Sequence, residues 1–230
     1  MEFTDIAMEL SREAWQASFN HPFVLQLQEG NLEPSIFRYY LIQDAYYLKS
    51  FSEAYHLLAD KTSNEKMKRL LKQNAQSLVE GELFIRQQFF KELGISDQEM
   101  EQHPIAPTCY HYISHIYRQF AEPNLGIAFA SLLPCPWLYH DLGKALNRNP
   151  SPNPLYQLWI ETYITDELEQ QIKEEEALVN QLYRESNETD KQKMLEAFHR
   201  SVHMEAKFWE MAYQHQTWTS DLQSLEKEKK

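Results

Sequence analysis

Apolar residues recur every three or four positions along most of the chain, the spacing of helices that bury one face. The pattern predicts about seven main helices. An amphipathic helix over 3–18 comes first, and His21-Pro22-Phe23 breaks it before a short helix to Glu29. Gly30-Asn31 makes a turn, and Pro34 stands where a first helical turn tolerates proline. A long helix then runs to about Asp60. Another covers 64–93 and stops at Gly94, a favoured C-terminal cap. After a short piece beyond Ser96 come helices over 107–121 and 124–147, and then a proline-rich loop over 149–154. Helices over 155–184 and from Thr189 to Trp218 complete the set, with Thr189 and Gln192 at capping-box spacing. The charged stretch 219–230 predicts a frayed tail. With no repeat and no linker, the expectation is an all-α, single-domain helical bundle over 1–218.

Composition narrows this further. The chain has 230 residues, 43% of them hydrophobic, with 12 Phe, 13 Tyr and 5 Trp, so a large aromatic core is available. Its net charge of -12 repels phosphate backbones and argues against nucleic-acid binding. The two cysteines, Cys109 and Cys135, do not suggest a disulfide scaffold. The acidic start Met1-Glu2-Phe3-Thr4-Asp5 lacks the basic residues of a signal peptide. The longest uncharged stretch, Pro123 to His140, carries three prolines and reads as a buried helix, not a membrane span. A soluble, cytoplasmic protein is expected.

Helical phase exposes polar residues in apolar surroundings. Phe37, Tyr40, Tyr47, Leu48, Phe51, Tyr55 and Leu58 share one face of the 34–60 helix, with Asp44 at its centre. Phe198, Val202, Phe208, Trp209 and Ala212 form a stripe on the last helix, with Glu205 at its centre. A carboxyl on such a face is costly to bury unless hydrogen-bonded or protonated. Two of them suggest a shared polar pocket, although buried Tyr, Trp or His can satisfy such groups in a plain packing network. Pro134 and Pro136 interrupt the 124–147 helix, each costing about 3 kcal/mol in a regular helix interior. A kink there would turn Cys135 out of regular packing, with Tyr139 one turn on; a small buried hydrophobe is the other reading of Cys135. Cys109, near a helix start, reads as that small hydrophobe.

Metal-like spacings point elsewhere. Glu53-x-x-His56 and Glu196-x-x-His199 match the Glu-x-x-His pairs of di-iron bundles. Glu53 lies nine residues from Asp44 and Glu196 nine from Glu205, so at about 100° per residue each faces away from the inferred core. His199 and His203 stand at i and i+4 but lack an evident third zinc ligand. His21 before Pro22 suits a helix boundary better than a haem ligand. No metal is expected.

Taken in order, six pieces resemble the TenA/thiaminase II family: His21-Pro22-Phe23; Tyr39 through Leu48 around Asp44; Tyr112 with Ser114-His115-Ile116-Tyr117-Arg118; Leu132-Leu133-Pro134-Cys135 with Trp137-Leu138-Tyr139; Tyr156 with Trp159, Ile160 and Tyr163; and Glu205 with Phe208-Trp209. The resemblance implies a haem-oxygenase-like bundle without haem or other cofactor, assembled as a homotetramer. It implies hydrolysis of thiamin, or of 4-amino-5-aminomethyl-2-methylpyrimidine, to the hydroxymethylpyrimidine. Cys135 places the chain in the cysteine-containing branch. In that chemistry Cys135 is the candidate nucleophile and Glu205 the candidate acid, while Asp44 holds the aminopyrimidine edge. Tyr139 and Tyr163 add hydrogen bonds, Tyr112 and Phe208 offer stacking surfaces, and Tyr47 supports the cysteine. Pro136 departs from the family pattern, where an aromatic residue is common, and the resemblance does not extend to Ile164-Thr165-Asp166 after Tyr163. The competing readings are a di-iron oxidase on the same bundle and a regulatory protein with a vestigial pyrimidine pocket.

Overall fold

The computed structural model describes residues 1–79 and 84–218, with backbone alone for 84–86. Twelve helices are found among them: α1 Phe3–Phe19, α2 Pro22–Glu29, α3 Pro34–Lys61, α4 Glu65–Ser77, α5 Phe84–Leu93, α6 Asp97–Gln102, α7 Pro107–Gln119, α8 Leu125–Leu132, α9 Pro134–Leu146, α10 Pro154–Glu161, α11 Asp166–Glu185 and α12 Glu188–Tyr213. There is no strand among the described residues. The tail 219–230 lies outside them, as do residues 80–83 within the expected 64–93 helix, which is followed here as α4 and α5.

Two long helices organise the bundle. α12 packs against α1, α3, α7, α8 and α9, and α3 packs against α4, α7 and α8. The seven apolar residues that set the sequence phase of α3 are all buried, as are the five of α12. The first half of α3 is buried almost all round, Tyr39, Tyr40, Leu41, Ile42 and Gln43 included, which marks a central helix and not a surface one. The uncharged stretch is also core: Gly126 through Pro134 is buried throughout. No described helix is long and apolar enough to cross a membrane.

Three expected boundaries shift, some through local caps and some through tertiary contacts. The 124–147 helix divides at Leu133, whose backbone stays right-handed helical (φ -58°, ψ -36°), so the chain bends without unwinding. Pro134 becomes the first residue of α9 and Pro136 falls in its first turn, where a missing N–H leaves no intrahelical bond unmade. The cost assigned to a helix interior is therefore avoided.

The 155–184 helix divides at Thr162–Thr165. Thr162 Oγ1 turns back to the Trp159 carbonyl at 2.7 Å, and Thr165 Oγ1 caps α11 by accepting from the Leu168 N–H at 3.2 Å. Gly143 allows α9 to approach this break. A Cβ there would come within 3.0 Å of Ile164 and 3.1 Å of Tyr163. His140 Nδ1 then donates to the Tyr163 carbonyl at 2.8 Å, pinning the break to α9.

The last helix starts one residue before the expected Thr189, because Asn187 supplies the cap by accepting from the Asp190 N–H at 3.0 Å. It stops at Tyr213, not Trp218. His215 takes a left-handed conformation (φ 48°) and the chain reverses. Tertiary bonds then replace helical ones. Gln216 Oε1 accepts from the Thr108 N–H at 3.0 Å, its carbonyl accepts from Tyr39 Oη, and Trp218 Nε1 donates to the Ile105 carbonyl at 2.8 Å.

Candidate active site

The site sits where α3, α7, α9, the α10–α11 break and α12 converge. α3 supplies Asp44 and Tyr47, α7 Tyr112, α9 Cys135 and Tyr139, the break Tyr163, and α12 Glu205 and Phe208. All eight sequence-derived candidates come together here. Seven are buried, and Cys135 is half-buried.

Aromatic contacts join them. Tyr47 lies 4.8 Å from Tyr112 and 5.7 Å from Phe208 between ring centroids, and Tyr139 lies 4.9 Å from Tyr163. Tyr40, which the sequence reading assigned only to the core face, donates to the Tyr139 hydroxyl at 3.3 Å and packs on Phe208. Tyr112 does more than present a flat ring: its hydroxyl donates to Glu205 Oε1 at 2.6 Å.

Burial sets the protonation of Glu205. Glu205 is 1% exposed, and burial pushes its pKa up to about 8. The Tyr112 hydrogen bond works against that shift, and the charge of Asp44 adds to it. At neutral pH Glu205 is therefore mostly protonated and can serve as an acid. Burial raises the Tyr47, Tyr112 and Tyr139 phenols well above their ordinary value, so all three remain neutral donors. A negative charge on Cys135 raises Tyr47 and Tyr112 further, which places the sulfur within electrostatic reach of both.

The residues set aside by phase do face away. Glu53 and His56 are exposed on α3, and Glu53 accepts from Tyr117 Oη at 3.2 Å. Glu196 is exposed and pairs with Arg200 at 3.1 Å, while His199 bonds Ser11 at 3.1 Å and His203 at 3.1 Å. Neither Glu-x-x-His pair reaches the bundle interior. His21 is the N-cap of α2. Its Nδ1 accepts from the Phe23 N–H and its Nε2 meets Glu210 at 2.9 Å, so both ring nitrogens are engaged and do not suit an axial haem ligand. Cys109 is fully buried, and its thiol donates to the Gln43 carbonyl.

Sequence reasoning missed a third buried carboxyl. Glu175 of α11 accepts through Oε1 from Tyr55 Oη at 2.8 Å, Asn74 Nδ2 at 2.5 Å and Gln171 Nε2 at 3.3 Å. Burial pushes it up to about 7 despite those three bonds. The signal was present: Ile172, Glu175, Val179 and Leu182 follow helical spacing, with a carboxyl inside an apolar stripe.

Comparison with known proteins follows the same lines. The sequence profile of the TENA/THI-4/PQQC family matches residues 10–215. The chain is 35% identical over 219 residues to the aminopyrimidine aminohydrolase of Bacillus subtilis strain 168, covering 95% of this chain and 93% of that one. It matches the solved structure of the TenA homologue protein from P. horikoshii OT3 with a TM-score of 0.83 at 24% identity, over 93% of this chain and 99% of that one. A domain with a heme oxygenase-like fold from Shewanella denitrificans OS217 matches with a TM-score of 0.71 at 14% identity, over 94% and 93% of the two chains. The last two likenesses bear on the fold alone, and they bear out the helical bundle of haem-oxygenase-like type.

Proposed function

The chain belongs to the TENA/THI-4/PQQC family, and from that premise we propose that it is an aminopyrimidine aminohydrolase, cleaving the bond between the pyrimidine methylene and the leaving nitrogen of thiamin or of 4-amino-5-aminomethyl-2-methylpyrimidine. The product is the hydroxymethylpyrimidine, for thiamin salvage. The observation that carries this reading is the protonated, buried Glu205 held by Tyr112, beside Asp44 and within the same aromatic cluster as Cys135.

An aromatic pyrimidine resists direct displacement at its methylene. The Cys135 thiolate instead forms a bond to the ring carbon next to the one bearing the methylene, and a ring nitrogen takes a proton. Aromaticity is then lost, and the ring can push out the substituent. The methylene–nitrogen bond breaks with its electron pair leaving on nitrogen: the thiazolium of thiamin departs as a neutral thiazole, whereas the amine of the aminomethylpyrimidine takes a proton and departs as ammonia. Water adds to the exocyclic alkene and gives up a proton, the carbon–sulfur bond breaks, and the ring regains aromaticity as the thiolate leaves. One hard step becomes several easier ones. Glu205 supplies and recovers the protons. Asp44 accepts from the exocyclic amine, Tyr139 and Tyr163 add polar contacts, Tyr112 and Phe208 flank the ring, and Tyr47 supports the sulfur. No cofactor enters this scheme.

Chromatography of the purified enzyme with each substrate tests the reading: hydroxymethylpyrimidine appears from at least one of them. Its absence from both would overturn the assignment. Asp44→Asn should weaken hydroxymethylpyrimidine binding about ten- to a hundredfold, because a charge-assisted bond contributes roughly 1.5–3 kcal/mol and the amide can present a donor in its place. Unchanged affinity by calorimetry would remove Asp44 from the site.

The same reading makes the protein a cytoplasmic homotetramer. Sedimentation at micromolar concentration should give four chains, and a clean monomer would count against that assembly. Recovery of the enzyme in the soluble cytoplasmic fraction checks the location.

A further inference from the structure

Cys135 and Pro136 form part of the wall of a cavity of about 560 Å³ between α3, α4, the α10–α11 break and the start of α11. Buried Phe51, Tyr55 and Asn74 make its deep wall, and exposed Asp166, Glu167 and Glu174 stand on its rim. The described lining contains three carboxylates and no lysine, arginine or histidine. Glu175, 1% exposed, lies behind the wall and takes the donor ends of Tyr55, Asn74 and Gln171 on its Oε1. Its Oε2 has no hydrogen-bond partner. Tyr55, Asn74 and Gln171 thus each give one donor to Glu175. The charge carried by the described lining is negative.

The geometry points to a leaving-group pocket. We propose that this cavity receives the part of the substrate attached to the pyrimidine methylene, and that its wall selects neutral or cationic leaving groups over those carrying a phosphate. The inference rests on the hydrolytic reading above. The ring carbon that Cys135 attacks is adjacent to the carbon bearing the methylene, so the departing nitrogen starts close to the sulfur. Asp44, Glu205 and Tyr112 hold the pyrimidine on the bundle side and are not among the cavity's lining residues. The cysteine is the one of the eight site residues that faces both regions. A cavity of about 560 Å³ is far larger than ammonia needs and falls in the range of small-molecule sites, which run roughly 300–1,000 Å³. A positively charged azolium ring meets complementary charge at the rim. A phosphate meets like charge, with no cation among the described lining residues to receive it.

The test compares kcat/KM for thiamin and for thiamin monophosphate, with the aminomethylpyrimidine as a substrate too small to reach the rim. The parent enzyme should prefer thiamin over its phosphate by roughly ten- to a hundredfold, the usual consequence of like charges brought together at a partly exposed site. Added salt should narrow that ratio in the parent, and neutralising the rim in the triple variant Asp166→Asn, Glu167→Gln, Glu174→Gln should narrow it at low salt. Equal rates on the two thiamin substrates, or a ratio indifferent to both salt and the triple variant, would overturn the inference alone. Failure of the parent to act on the aminomethylpyrimidine and on thiamin would remove the hydrolytic reading itself.

Discussion

Cys135→Ser should abolish turnover and leave binding of hydroxymethylpyrimidine intact. Serine keeps the shape of the first turn of α9, where Pro134 and Pro136 fix the backbone on either side. What changes is nucleophilicity. Thiolate is the reactive form of cysteine and is accessible near neutral pH, whereas hardly any serine alkoxide forms there without a dedicated base. No histidine is among the eight site residues to act as one, and Glu205, raised to about 8, is mostly protonated at neutral pH. The expected loss is on the order of a thousandfold or more, as for other residues that make the covalent bond. Binding should survive because, in the proposed scheme, the polar contacts to the pyrimidine come from Asp44 on α3, Tyr139 one turn beyond the cysteine on α9, Tyr163 in the α10–α11 break and Glu205 on α12, none of which the substitution alters. Product release measured by chromatography and affinity measured by calorimetry separate the two effects. Rates like those of the parent would sink the covalent mechanism.

The residues that act in this scheme were legible in the sequence to different depths. Asp44 and Glu205 stood out because helical periodicity alone places a carboxyl on an apolar stripe, and the core position of α3 and α12 follows from the same periodicity. The same test applied to α11 would have found Glu175. A single helix over 155–184 carries one phase, and the break between α10 and α11 resets it before Glu175. The break at Thr162–Thr165 is set partly by Thr165 as a cap, a local signal, and partly by the close approach of Gly143, which is not local. Tertiary bonds at Gln216 and Trp218 likewise overrode helix continuation past Tyr213. The prolines at 134 and 136 announced a kink, but not that it would cost so little. The Tyr112–Glu205 bond and the Tyr40–Tyr139 pair join residues 93 and 99 positions apart. Periodicity within one helix carries no information about such pairs. Resemblance to a family could rank the residues, and only the packing of α7 on α12 could bring the phenol to the carboxyl.

Glu205→Gln should also abolish turnover, and it should fail differently from the serine variant. The amide keeps the side chain's volume, and its oxygen can still accept from Tyr112, so the fold should hold. The buried carboxyl is already held protonated up to about pH 8, so a neutral replacement removes little stabilising charge. The sign follows from the raised pKa: burial makes the charged form costly, so stability falls as pH rises from the ordinary carboxyl range toward about 8 in the parent. The glutamine variant lacks that fall at this position and should melt relatively higher on the alkaline side. Activity follows the same titration. If the protonated form starts the reaction, kcat/KM of the parent declines as pH rises through about 8, and the variant has no such limb because it has no proton to give. Mass spectrometry of variant quenched with substrate then locates the step. No adduct on Cys135 means that Glu205 protonates the ring as sulfur adds. An accumulated adduct means that it serves the leaving nitrogen or the incoming water. Full activity in the glutamine variant, at any pH, would remove Glu205 from the proton transfers and leave the Tyr112 bond as its only role.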